Sequence, residues 1–136
     1  MGLKFHFFPA AFHDETLHSV LSRYARLCGL GSCRAAFDGE QSASFFSQNV
    51  AFPCRLGELI KALPWGTELS LREVIRRHTL LPYYEPFLSP RQVDDAYALM
   101  AGNGKGLMLR LGLIASRLEF ASRVRFCPAC LNECWR

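Results

Sequence analysis

Apolar residues recur along this chain at helical spacing, and turn-forming residues separate the repeats into short segments. Leu17, Val20, Leu21, Tyr24 and Leu27 form one apolar stripe. Asp14 is a fitting N-cap for that helix, Glu15 suits its positive end, and Gly29 suits its C′ stop. Arg23, Arg26 and His18 fall off the stripe, which predicts a solvated face. Residues 55–63 carry Leu56, Leu59, Ile60 and Leu63 at i, i+3, i+4 and i+7, and Pro64 ends that helix. Ser70-Leu71-Arg72-Glu73 reads as a capping box opening a short helix through Val74 and Ile75. Ser89-Pro90 supplies an N-cap serine and a first-turn proline for another, through Val93, Ala96, Tyr97 and Met100 to the break at Gly102-Asn103-Gly104. Two short helical pieces, 107–113 and 114–120, follow. Residues 3–12 read as an extended arm, and 30–54 as irregular connection with one or two helical turns.

The segment from Arg77 to Leu88 resists the helical pattern. Pro82 and Pro86 disfavour helix for Leu81 and Glu85 before them. Leu80, Leu81, Tyr83, Tyr84, Phe87 and Leu88 nevertheless give it a large apolar content. We expect a rigid, extended connector buried between helices, with the tyrosine hydroxyls on polar partners; the alternative is an aromatic patch facing a partner.

The composition fits a folded chain, with half the 136 residues hydrophobic and 21% charged. No apolar run approaches the roughly 20 residues of a membrane span. The first nine residues are too interrupted for a signal peptide, and His6 stands where a myristoylation motif wants Ser or Thr. A cytoplasmic protein is expected. Its fold class is mostly α, a small helical domain with short helices and a C-terminal strand leading into a partial zinc knuckle. We divide it into a helical domain, 1–104, and a basic segment with the start of a CxxC motif, 105–136.

Charge sharpens that division. Residues 1–104 hold ten basic and ten acidic residues, so the net +4 lies in 105–136, where Lys105, Arg110, Arg117, Arg123, Arg125 and Arg136 face only Glu119 and Glu133. Thirteen of the sixteen basic residues are arginine, the side chain that forks onto phosphate or carboxylate. A polyanion partner near the C-terminus is the reading.

Cys28, Cys33 and Cys54 are scattered, as small buried hydrophobes are. Cys127, Cys130 and Cys134 crowd the end of the chain. Val124-Arg125-Phe126 is a candidate strand leading into Cys127-Pro128-Ala129-Cys130, the usual first half of a zinc ribbon. Two thiolates at that spacing face one Zn²⁺, which takes four N or S ligands. Cys134 offers a third, and a fourth must come from a distant residue such as His78 or from another chain. No βαβ pattern supports a redox CxxC. Lys105 between Gly104 and Gly106 lacks the phosphate-loop spacing. A helix-turn-helix around Gly112 is compatible with the pattern, as are many all-α connections.

Phe8-Pro9, the helix from Asp14 to Arg26, the block His78-Thr79-Leu80-Leu81-Pro82-Tyr83-Tyr84-Glu85-Pro86-Phe87-Leu88, residues 113–117 and Arg125-Phe126-Cys127-Pro128-Ala129-Cys130-Leu131 together resemble the TniQ/TnsD family, in its order. The resemblance covers the family's N-terminal part and ends within its first zinc finger; members carry a second C-x-x-H pair and further DNA-binding domains beyond that point. It implies a non-catalytic target-selection adaptor in Tn7-like and CRISPR-associated transposition. Such an adaptor links target DNA, or an RNA-guided effector, to an AAA+ ATPase regulator of the TnsC type. On that reading Phe7, Phe8, Arg23, Arg26, Tyr83 and Tyr84 face the ATPase. Lys105, Arg110, Arg117, Arg123 and Arg125 are the DNA-backbone candidates, and Cys127, Cys130 and Cys134 the zinc ligands. The different-class rivals are a small helix-turn-helix DNA-binding regulator and a redox or metal-storage module. Self-association as a homodimer is left open.

Overall fold

The computed structural model describes residues 5–31, 51–113 and 127–134. In chain order they form α1 (Leu17–Leu27), α2 (Leu56–Ala62), α3 (Leu71–His78), α4 (Leu81–Tyr84), a 3-10 turn (Glu85–Phe87), α5 (Pro90–Ala101), α6 (Leu107–Arg110) and α7 (Pro128–Cys134). The mostly helical expectation holds, and no strand occurs among the described residues. The candidate strand at 124–126, the second helical piece at 114–120 and most of the irregular connection lie outside them.

Short-range chemistry sets most helix ends. At the close of α1, the Gly29 N–H reaches the Arg26 carbonyl (3.1 Å) and the Leu30 N–H the Ala25 carbonyl (2.8 Å), with Gly29 at φ +69°. These two bonds make a Schellman stop. At the start of α3, Ser70 and Glu73 exchange side-chain-to-backbone bonds, and Ser89 and Gln92 do the same for α5. The first helix departs from expectation at its start. Thr16 is the cap, accepting from the Ser19 N–H, and Asp14 sits before it in a left-handed turn (φ 56°).

The proline-aromatic segment is helical, not extended. Pro82 lies in the first turn of α4 and Pro86 in that of the 3-10 helix, where an amide N–H would have no intrahelical partner to lose. Each proline thus starts a new turn instead of barring one. The chain bends twice, burying Leu81 fully while Tyr83 and Phe87 stand 73% and 82% exposed.

One core joins these pieces. Leu17, Leu21 and Tyr24 of α1, Leu56 and Leu59 of α2, Val74 and Ile75 of α3, Ala96 and Met100 of α5, and Leu107 and Leu111 beyond the glycine turn all belong to it. Helix α5 is central, packing on α2, α3 and α6. Phe5 is also in the core, and its N–H donates to the Ala62 carbonyl (3.1 Å), so the arm is fastened across the end of α2. No helix among the described residues is long and apolar enough to cross a membrane.

Candidate functional site

Glu15 organises the N-terminal surface. Its carboxylate takes the Arg23 guanidinium as a two-pronged fork, Nε to Oε1 at 2.9 Å and Nη2 to Oε2 at 2.7 Å. It also accepts the Ser19 hydroxyl (2.7 Å) and the Phe12 N–H (2.9 Å). Glu15, Ser19 and Arg23 lie four residues apart on one face of the helical start, so the contact is geometrically local. Burial alone raises the Glu15 pKa, but the Arg23, Phe12 and Ser19 hydrogen bonds and the Arg23 charge outweigh it and hold the carboxyl below its ordinary value. Arg23 also donates to the Ala10 carbonyl (2.6 Å) and lies 4.2 Å from the Phe12 ring centroid. The arm is therefore laid along α1 by one guanidinium.

From the other side, His78 at the end of α3 is buried, and its Nδ1 lies 2.6 Å from the Glu15 carbonyl oxygen. A carbonyl can only accept, so Nδ1 carries the proton. That bond ties the start of α1 to the entrance of the proline-aromatic segment. It also takes one nitrogen of the residue considered as a distant zinc ligand.

The rings supported by this frame divide between core and solvent. Phe5 packs edge-on against Phe8 (5.6 Å) and Tyr24 (4.9 Å), and Phe7 tilts against Tyr24 (5.2 Å). Phe8 is half-buried against the core, whereas Phe7 is 41% exposed and Phe12 63%. Leu27 and Arg26 are exposed near the end of the same helix. Across the domain, Tyr84 rests on buried Phe52 (5.3 Å), with Tyr83 edge-on to it and pointing outward. Two exposed rings were not singled out in the sequence. Phe12 carries the arginine stack, and Trp65 stands wholly exposed on the Pro64–Thr67 turn, closed by a 3.2 Å Thr67 N–H bond to the Pro64 carbonyl. The Pro-Trp-Gly sequence was the available signal for Trp65.

The basic candidates are placed unevenly. Lys105 is exposed at the glycine turn, where its N–H donates to Asn103 Oδ1 (3.0 Å). Arg110 pairs with Asp95 of α5 (2.6 Å), and its carbonyl accepts from Gln92 Nε2 (3.1 Å), so it anchors α6 to α5. Arg117, Arg123 and Arg125 lie outside the described residues.

Among the cysteines, Cys28 is exposed instead of buried; Cys54 is half-buried, and burial pushes its thiol pKa up. Cys127 and Cys130 are both exposed at the start of α7. The Cys130 N–H, the Cys130 thiol and the Ala129 N–H draw the Cys127 thiol below its ordinary value. Cys134 is the last residue of α7, and its thiol lies outside the description. No group of three or more His, Cys, Asp or Glu side chains converges among the described residues. The two described thiols would fill half of a tetrahedral zinc site.

Fold and surface together define a small helical domain whose outward features are rings and guanidinium groups on a braced frame. A family model described as TniQ matches residues 6–136, and the chain belongs to the TniQ family. It is also similar to the transposon Tn7 transposition protein TnsD of Escherichia coli, at 29% identity over 125 residues. That alignment takes in 91% of this chain and 25% of the relative, so the chain spans about a quarter of the relative's length.

Proposed function

We propose that this chain is a non-catalytic target-selection adaptor in DNA transposition. It links target DNA, or an RNA-guided effector bound to it, to an AAA+ ATPase regulator of the TnsC type. Membership of the TniQ family and the similarity to a Tn7 transposition protein support the transposition role. The observation that carries the recruiting part is the braced arm on α1, where Phe7, Phe12, Arg26 and Leu27 are exposed on backbone fixed by the Glu15–Arg23 fork. Exposed rings on a rigid support are the usual anchors of an interface. Arg23 serves this surface from beneath, by holding the arm. Tyr83 and Phe87 offer a second exposed pair for the same partner or for the effector.

In this reading the arginines at 117, 123 and 125 contact the DNA backbone, and Cys127 and Cys130 give two thiolates to a zinc ion that fixes the segment carrying them. Loss of bound zinc from a Cys127→Ser, Cys130→Ser variant, measured by metal analysis, is the expected result. Equal zinc in both proteins would remove these thiols from the site.

The adaptor reading is tested by co-sedimenting the chain with the TnsC-type ATPase of the same element, in ATP and duplex DNA, beside an ATPase-free control. Pelleting that requires the ATPase is expected. Binding to DNA with no gain from the ATPase would favour a small DNA-binding regulator instead.

A further inference from the structure

Three arginines of α3 form no ion pair with any described residue. Val74, Ile75 and His78 of that helix are buried, while Arg72, Arg76 and Arg77 are exposed. Arg72 and Arg76 stand one turn apart, about 6 Å along the axis, and Arg77 adjoins them. Among the described residues, the ion pairs join His13 to Asp14, Arg23 to Glu15, Arg55 to Glu58 and Arg110 to Asp95. None reaches these three.

The carboxylate on the same helix, Glu73, has another partner. Glu73 faces back to the helix start, accepting the Ser70 N–H (3.1 Å) and hydroxyl (2.9 Å) in the capping box. Arg77 therefore feels its field without being paired to it. Burial, and after it the charge of nearby Glu85, push the Tyr97 phenol pKa up. The same Tyr97 ring lies under Arg72, whose guanidinium carbon is 5.8 Å from the ring centroid, and aromatic support of this kind orients a guanidinium plane.

We propose that this arginine face of α3 binds the phosphate backbone of duplex DNA. A guanidinium with no internal carboxylate presents its fork outward, and phosphate oxygens match that fork. Duplex DNA carries a charge about every 1.7 Å of its axis, so three guanidiniums over one and a half turns meet phosphates in any register. An acidic peptide would need carboxylates placed to match. Phosphate contacts of this kind position a chain on DNA and carry no sequence information themselves. The inference rests on the reading of the chain as acting on target DNA, and adds a contact surface separate from the C-terminal arginines.

The test is fluorescence anisotropy of a labelled duplex of arbitrary sequence across a salt gradient. It compares the full chain, an Arg72→Gln, Arg76→Gln, Arg77→Gln variant, and an Arg117→Gln, Arg123→Gln, Arg125→Gln variant of equal charge change. We expect the α3 variant to bind at least about tenfold more weakly at low salt. Its slope of log K against log salt should fall by roughly 2 to 3, at about 0.9 per phosphate contact. Unchanged affinity and slope would overturn the proposal, as would failure of the parent chain to bind the duplex. Equal loss toward polyglutamate would also overturn it, in favour of an acidic protein partner. Should the triple variant not fold, each single substitution should lower the slope by about 0.9. Co-sedimentation of the α3 variant with the ATPase reads recruitment separately, so failure of this face and failure of the adaptor reading give different patterns.

Discussion

At the scale of single residues, Glu15 and Arg23 decide how the N-terminal surface is presented. The Glu15 side chain is 7% exposed and that of Arg23 29%, so the pair is neither a solvated surface bridge nor a fully buried one. Hydrogen bonds to charged groups contribute about 1.5–3 kcal/mol, and partial exposure screens that. Arg23→Ala should lower stability by about 1–2 kcal/mol, read as a shifted urea midpoint with unchanged slope. The sign with pH follows from the depressed carboxyl. The folded state binds the Glu15 proton less readily than the unfolded chain, so the stabilisation is present above the free-glutamate value, about 4.3, and is lost as pH falls through the lower folded value. His18 acts in the same direction at higher pH. Burial pushes its pKa down, so its contribution is present above about 6.5 and fades on acidification below that. A pH series of urea midpoints should therefore show an acid step that is smaller in Arg23→Ala. What remains belongs to Glu73, which the Ser70 bonds hold below its ordinary value, and to the Phe12 and Ser19 bonds that Glu15 keeps. An acid step of unchanged size in Arg23→Ala would show that the Glu15–Arg23 pair does not contribute to it.

Among the elements, what the sequence discloses is what local chemistry determines. The Ser70–Glu73 box, the Ser89 cap and the Gly29 stop each depend on residues within five positions, and each stands where the pattern put it. Asp14 and Thr16 are both acceptable caps; the choice falls to Thr16 because Glu15 must reach Arg23 and Phe12 together. The proline segment departs from the extended expectation because a proline in a first helical turn gives up no hydrogen bond. His78 and Glu15, sixty-three positions apart, meet only through tertiary packing, which no periodicity reports. The arginine face of α3 was hidden for a related reason, since it is open only because Glu73 turns back to Ser70. The glycine turn after α5 offers a controlled test. Gly104 and Gly66 both have positive φ (70° and 87°), but a Cβ on Gly104 would run into Cys54 Sγ, while Gly66 has open space. Gly66→Ala should cost about 1–2 kcal/mol from the backbone alone. Gly104→Ala should cost more by the overlap, about 1–3 kcal/mol further. Equal urea midpoints for the two variants would contradict the close packing of that turn against Cys54.

The whole molecule places three kinds of surface on one core: the braced arm and α1 with exposed Phe7 and Phe12, the proline turns with Tyr83 and Phe87, and the arginine face of α3. All three stand outside the core at Leu21, Leu56, Ile75 and Met100. On the proposed reading the arm and α1 recruit the ATPase. The most direct measurement is the affinity of the TnsC-type ATPase, by sedimentation in ATP, for the parent chain and a Phe7→Ser, Arg26→Glu variant with the thermal midpoint of the parent. The account predicts at least about a tenfold loss, some 1.4 kcal/mol, with anisotropy on a labelled duplex unchanged. Parent-like ATPase affinity in that variant would contradict it.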